Sequence, residues 1–203
     1  MDRAGDRGAR ALLRLGFYRG LRLATLLLAR LLYRVRVVGA LPSGPCVVAA
    51  NHESVLDPPL LALAARRPLR FLAKEELWRY RPGAWLMDAL GGVPVKRGRE
   101  GHVAVDRAAE LLAQGESVAI FPQGTVRGGV WTRGAARLAL MTGAPLVPVR
   151  IVGSARALSR DRIGFPRIRI VVGEPIRVDR ARPTVAAARR LTERLAATVD
   201  RIT

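Results

Sequence analysis

Short apolar runs alternate along this chain with longer stretches of helical periodicity, and that alternation limits the fold more than any other feature. The strand-like runs are 34–38, 46–50, 69–73, 93–95, 117–121, 146–151 and 167–172. The helical stretches are 58–65, 84–90, 101–114, 134–142 and 184–202. Strands that take turns with helices pack as layers, so the expected fold is α/β: a single layered domain with a largely parallel or mixed central sheet flanked by helices. A length of 203 residues suits one domain with a full core, and an apolar fraction of 50% excludes a disordered chain.

Ahead of this domain, residues 2–36 read as two helices broken near Gly16 and Gly20. Arg3, Arg7, Arg10 and Arg14 share a face of the first. Arg19, Arg22 and Arg30 stand opposite Leu21, Leu28, Leu32 and Val35 in the second. A basic face against a leucine face fits a helix lying in a membrane interface, and equally a helix packed on the domain with its basic side in water. The longest uncharged stretch within 2–36 is 23–29, far shorter than the roughly 20 apolar residues of a spanning helix, and the arginines do not fit a secretory signal. The expectation is an N-terminal amphipathic hairpin over 1–36 followed by the main domain over 37–203. The protein would be peripheral or monotopic on the cytoplasmic face, with no spanning helix.

The formal net charge is +19, and only Lys74 and Lys96 are lysines. Such a surface attracts nucleic acid, anionic lipid headgroups or phosphorylated small molecules. Biased codon usage is the simpler account of arginine over lysine. Against nucleic acid stand an aromatic content of 5% and the absence of a known nucleic-acid module. Cys46 is the only cysteine and lies in an apolar run, so no intramolecular disulfide forms and the side chain reads as a small hydrophobe.

Four segments carry the chemistry. In the first, Asn51-His52-Glu53-Ser54-Val55-Leu56-Asp57, an apolar run delivers one of only two histidines, and Asp57 follows just ahead of Pro58-Pro59. On a continuous helix five residues turn about 500°, so His52 and Asp57 meet only if the chain between them bends. Asp57 suits an N-cap and Pro58 the first helical position. For these two residues alone, a plain N-cap and a satisfied core or loop histidine are the simpler readings. A His–Asp pair, in contrast, takes a proton from a hydroxyl and makes an alcohol a nucleophile. The second segment, 91–99, ends a strand in Lys96, Arg97 and Arg99, which fits a phosphate clamp or a solvated basic loop. In the third, 120–129, a strand enters a glycine-rich turn, which fits an anion-binding turn or an ordinary strand exit. The fourth, 144–149, holds Pro145 and Pro148 in a strand-like run and marks an edge, a strand start or a loop.

In this order and spacing the four segments resemble the glycerolipid acyltransferase family, typified by 1-acylglycerol-3-phosphate acyltransferases. Asn51, His52 and Asp57 match its Asn-preceded His-x4-Asp motif. Gly92, Pro94 and Arg97 match its second block. Phe121, Pro122, Gly124 and Thr125 match its Phe-Pro-Glu-Gly-Thr-Arg-Ser block, and Pro145 and Pro148 its proline-centred strand. The segment 132–136 is similar to its Lys-Gly-Ala segment, and the resemblance runs from about residue 35 to 175. Two positions depart from the pattern: Gln123 stands where the family has glutamate, and Val126 where it has arginine, with Arg127 one place on. Gln123 still hydrogen-bonds a hydroxyl or phosphate, carries no charge and also donates. Both changes lie around the acyl acceptor and leave its identity open.

The resemblance implies acyl transfer from a thioester, acyl-CoA or acyl carrier protein, to a hydroxyl of a lysophospholipid such as 1-acylglycerol-3-phosphate. Another lyso-, glyco- or amino-lipid acceptor is the alternative within this chemistry. A basic nucleic-acid-binding protein is the alternative of another class. His52 would be the general base and Asp57 its orienting acid. Asn51, Lys96, Arg97, Gln123, Gly124, Thr125 and Arg127 would bind substrate, with backbone N–H groups near Gly124 or Gly92 as oxyanion donors. No metal or other cofactor is expected, and the expected partners are the thioester donor, the lysolipid and an anionic membrane surface, without nucleic acid.

Overall fold

The computed structural model describes residues 20, 23–24, 27–65, 67–95, 101–124, 126, 129–157 and 164–202. Seven strands form one sheet: β1 (Arg36–Val38), β2 (Val47–Ala50), β3 (Leu69–Lys74), β4 (Gly92–Val95), β5 (Ser117–Ile120), β6 (Leu146–Val152) and β7 (Arg169–Val172). Their spatial order is β1-β7-β6-β2-β5-β3-β4. Neighbours are parallel except β6 and β7, so β1 and β7 run against the other strands. This is the mixed, mostly parallel sheet expected from the alternation of elements.

The described helices are α1 (Asp57–Ala64), α2 (Arg81–Ala89), α3 (Gly101–Ala113), α4 (Gly134–Thr142) and α5 (Val185–Arg201), with short 3₁₀ turns at Glu75–Arg79 and Ser154–Arg156. β2 shows why the sheet needs helices on both sides: all four of its residues are buried. Val48 and Ala50 join a core with Leu60 and Leu61 of α1, while Val47 and Ala49 join a core with Ala108 of α3, Leu138 of α4 and Leu195 of α5. A central strand covered on both faces reads as a continuous apolar run rather than an alternating one. α5 starts where Thr184 accepts a cap bond from the Ala187 N–H at 3.2 Å. α4 stops at Gly143, whose φ of 73° is open to glycine at no steric cost.

The structure corrects two sequence expectations. Pro148 does not mark an edge, a strand start or a loop, because it lies inside β6 between β2 and β7. It is tolerated where β7 has just ended: its carbonyl accepts from Gly173 at 2.9 Å, beyond the last ladder pair Val149↔Val172, so no β7 carbonyl requires the donor that proline lacks. The second correction concerns residues 75–89, where the 3₁₀ turn and the first three residues of α2 precede the helix expected from 84. Pro82 sits in the first turn of α2, where its missing N–H costs nothing. Most of the hairpin expected over 2–36 lies outside the described residues. Its described part is helical over 27–32, and β1 begins at Arg36.

Candidate active site

β2 and β5 are parallel neighbours in register Ala49↔Ile120, so the residues after their carboxyl ends face each other. The connection from β5 through α4 crosses β2 to reach β6 on its other side. In open α/β sheets such a crossing leaves a crevice at the carboxyl ends, where ligands bind.

Asn51 closes the end of β2. Its Oδ1 accepts from the Ile151 N–H at 2.7 Å and its Nδ2 donates to the Ile151 carbonyl at 2.9 Å, so the side-chain amide continues the ladder to β6. Nδ2 also donates to Glu53 Oε1 at 3.2 Å. Asn51 was expected to bind substrate; its polar atoms instead hold the sheet together at this point.

His52 follows, fixed from three sides. Its backbone N–H donates to Gln123 Oε1 at 2.7 Å, tying the β2 exit to the β5 exit. Its ring stacks on Phe121, with centroids 4.4 Å apart and planes at 27°. Its Nδ1 lies 2.9 Å from Asp57 Oδ2. That oxygen also accepts from the N–H groups of Glu53 and Ser54 at 2.7 and 2.8 Å. An oxygen already accepting two backbone donors acts as an acceptor, so Nδ1 carries the proton and Nε2 keeps the lone pair. The imidazole is 16% exposed and Asp57 fully buried, so the ring is open to incoming molecules and its partner carboxylate is not.

The bend required between His52 and Asp57 is present: residues 51–56 are non-helical and α1 begins only at Asp57. Asp57 is not the N-cap expected of it. Leu56 occupies that position without a side-chain cap bond, and the Asp57 carboxylate turns back to the amides ahead of the helix. Its other oxygen, Oδ1, is buried with no partner among the described residues, so the group is held through Oδ2 alone.

Gly124 sits in a turn at φ 69°. Its N–H donates to the Phe121 carbonyl at 3.0 Å and is not free to bind an oxyanion, contrary to expectation. Gly92 begins β4, two strands beyond β5, and its register with Phe71 puts it far from the carboxyl end. Thr132 secures the turn by donating both N–H and Oγ1 to the Pro122 carbonyl, at 2.9 and 2.7 Å. Lys96, Arg97, Thr125 and Arg127 lie outside the described residues. Sequence reasoning missed the contributions of Phe121, Glu53 and Ser54. Phe121 read as the last residue of its strand, although the strand ends at Ile120 and frees the ring to meet His52. Among the described residues no group of three or more His, Cys, Asp or Glu side chains is placed to hold a metal ion, and no helix is long and apolar enough to cross a membrane.

Comparison with known proteins follows the same lines. The crystal structure of the 1-acyl-sn-glycerophosphate acyltransferase of Thermotoga maritima superposes with a TM-score of 0.67 over 96% of this chain and 87% of that one. At 22% identity this shows a shared fold. The chloroplastic 1-acyl-sn-glycerol-3-phosphate acyltransferase of Brassica napus is 33% identical over 147 residues, 67% of this chain and 42% of the relative. The lyso-ornithine lipid O-acyltransferase of Pseudomonas aeruginosa is 38% identical over 104 residues, 51% of this chain and 40% of the relative. The chain thus spans less than half the length of these two curated relatives. The Acyltransferase family model matches residues 34–152, a stretch that takes in β1 through β6 and every residue of the His52 site, and the chain belongs to that family.

Proposed function

We propose that this chain transfers a fatty acyl group from a thioester, acyl-CoA or acyl carrier protein, to the free hydroxyl of a lysophospholipid, with 1-acylglycerol-3-phosphate as the first acceptor to test. The observation that carries the reading is the Nδ1–Oδ2 distance of 2.9 Å between His52 and a fully buried Asp57, with the imidazole partly exposed just beyond the carboxyl end of β2.

Nε2 takes the proton of the acceptor hydroxyl as its oxygen attacks the thioester carbonyl. The C–O bond forms, the carbonyl electrons move to oxygen, and Asp57 stabilises the imidazolium. When the tetrahedral intermediate collapses, the C–S bond breaks and the imidazolium returns its proton to the departing thiolate. The substrate oxygen does the work of an enzyme nucleophile, so no acyl-enzyme forms. Cys46 is no competitor: it precedes β2 at the opposite end from His52, and burial pushes its thiol pKa up. Lys96, Arg97 and Arg127 are assigned to the acceptor phosphate by the family resemblance. The docking face is an anionic membrane, with the protein peripheral on the cytoplasmic side.

A second acceptor class is favoured by two observations together. One relative is named for lyso-ornithine lipid, an amino-lipid, and Gln123 replaces the family's glutamate beside His52. The deciding experiment is thioester-dependent CoA release over a panel of lysophosphatidic acid, lyso-ornithine lipid and a lyso-glycolipid, with His52→Ala as control. Turnover in the variant is expected to fall at least ~10²-fold with an unchanged circular dichroism spectrum. A folded variant with near-normal acyl transfer sinks the mechanism. Salt-sensitive DNA binding without any CoA release favours the nucleic-acid reading.

A further inference from the structure

Both oxyanion donors expected from the sequence are unsuited to that task. The Gly124 N–H is taken up by the Phe121 carbonyl, and Gly92 lies far from the carboxyl end of the sheet. The side chain between Phe121 and Gly124 on this turn that can donate is Gln123. The parallel register of β2 with β5, Ala49↔Ile120, continues past the ladder and sets His52 beside Gln123, at the same separation of 71 residues. There the His52 N–H donates to Gln123 Oε1 at 2.7 Å. A carboxamide has one acceptor oxygen and one nitrogen with two hydrogens to give. Because His52 supplies a donor, the oxygen faces it and Nε2 turns away; the flipped amide would set N–H against N–H. Among the described residues nothing accepts from Nε2, and Gln123 is only half-buried, beside the partly exposed imidazole.

The turn that carries Gln123 is held on both sides of it. The Phe121 carbonyl accepts from the Gly124 N–H at 3.0 Å. The carbonyl of buried Pro122 accepts from the Thr132 N–H and Oγ1 at 2.9 and 2.7 Å. Backbone and carboxamide are therefore both fixed before any substrate arrives. A donor fixed in this way needs no reorganisation when charge develops on an oxygen in front of it, which is the condition for stabilising a transition state. The glutamate that the resemblance puts at this position would accept from the His52 N–H equally well and donate nothing. Glutamine thus keeps the tie between the two strand exits and adds two hydrogens to give.

We propose that Gln123 is a catalytic residue of this chain, its Nε2 donating to the thioester carbonyl oxygen during acyl transfer. The acceptor oxygen loses its proton to His52 and attacks the carbonyl carbon. As that C–O bond forms, the carbonyl electron pair moves onto the oxygen, and the hydrogen bond from Nε2 strengthens. When the carbonyl re-forms, the C–S bond breaks and the thiolate takes the proton from the imidazolium. Gln123 neither gives up nor keeps a proton. This role rests on the reading of the chain as a thioester-dependent acyltransferase. It assigns Gln123 to the reacting carbonyl rather than to the lysolipid.

The test uses the full chain, palmitoyl-CoA and detergent-dispersed lysophosphatidic acid, lyso-ornithine lipid and a lyso-glycolipid. Gln123→Glu keeps an oxygen for the His52 N–H and sets a negative charge where the donor stood. Its kcat should fall ~10²–10³-fold with every acceptor that the wild type uses. KM for those acceptors should stay within about twofold, because the lost interaction is made in the transition state. The circular dichroism spectrum and thermal midpoint should match the wild type, since the tie to His52 survives. Gln123→Met, neutral and of similar length, should lose kcat to a comparable degree and serves where the glutamate variant does not fold. A folded variant of either kind with near-normal kcat overturns the role. A loss confined to one acceptor, or carried by KM, makes Gln123 a reader of the lysolipid and overturns it as well. An inactive His52→Ala beside an active Gln123→Glu removes this role alone. A wild-type chain that releases no CoA with any acceptor removes the acyltransferase reading and this role together.

Discussion

The two ends of β2 hold the two side chains best suited to nucleophilic or base chemistry, and they are treated in opposite ways. At the amino end Cys46 is fully buried. Its N–H and thiol both point to Ser117 Oγ, at 3.3 and 3.6 Å, and the Arg67 guanidinium donates to the same oxygen at 3.1 Å. Burial raises the thiol pKa, with the Ser117 contact and the Arg67 charge only partly opposing it, so the reactive thiolate is disfavoured. At the carboxyl end the His52 ring reaches solvent while its partner carboxylate is buried. Both ends are rigidly held, but only one leaves its reactive atom accessible. The difference comes from the parallel sheet: the carboxyl end opens into loops that bend back over it, whereas at the amino end Cys46 is enclosed in the core.

Replacing Asp57 by Asn should give the largest effect at the open end. The amides of Glu53 and Ser54 require an oxygen at the Oδ2 position, so the new NH₂ must take the place of the buried, unpartnered Oδ1. The hydrogen bond to Nδ1 survives and the negative charge does not. The imidazolium then goes unstabilised, and kcat should fall by between ~10² and ~10⁴. A rate matching the wild type would mean that the pair is merely structural.

Asn51→Ala comes next and separates holding from binding. It strips partners from the Ile151 N–H and carbonyl, both in a buried part of the sheet, and should cost about 2–3 kcal/mol in urea unfolding. A rise in KM with unchanged stability would instead return Asn51 to the substrate-binding role expected from sequence.

At the closed end, Cys46→Ala should leave kcat within about twofold. Its signature is in stability against pH. A thiol whose folded pKa lies above its reference value of 9.0 keeps its proton in the folded chain after the unfolded chain has lost it. Its contribution is therefore complete below about pH 9 and declines as pH rises towards the folded pKa, by at most about 1.4 kcal/mol per pH unit. The alanine variant should lack that alkaline slope, as urea midpoints from pH 8 to 10 would reveal.

The contrast between the ends also marks what the sequence could and could not reveal. The layered α/β fold was legible because short apolar runs, β2, β5 and β6 among them, alternate with stretches of helical periodicity. The bend before Asp57 was legible because a His and an Asp five residues apart meet only through one, and Asp-Pro-Pro starts a helix. The partners of these residues were not legible. Gln123 reaches the His52 backbone only because β5 lies beside β2, and Asn51 reaches Ile151 only because β6 lies on the other side; that order is set by packing at separations of 71 and 100 residues. The backward turn of β1 and β7 has no local signal either, since strand direction leaves no mark on an apolar run. Gly124 looked like an oxyanion donor because a glycine turn after a strand often frees its amide; here the turn's own bond to Phe121 occupies it.

The smallest expected effect tests whether charge alone makes a pair important. Arg70 of β3 and Glu116, just ahead of β5, form a bidentate ion pair near the amino ends of their strands, with Nη2 to Oε1 at 2.9 Å. The hydrogen bond from Arg70 holds the Glu116 carboxyl below its ordinary pKa. A lowered carboxylate adds stability above its unfolded pKa of 4.5 and loses it as pH falls through the folded value, so the contribution is present at neutral pH and disappears in acid. Both side chains are about a third exposed, so water and salt screen the pair, and Glu116→Gln should cost under about 1 kcal/mol at pH 7 with no change in kcat. The His52–Asp57 pair has a similar separation, and its loss should abolish most of the activity. If Glu116→Gln proved as damaging to turnover as Asp57→Asn, the carboxyl end would have no special claim to the chemistry, and the division between the two ends of the sheet would have to be abandoned.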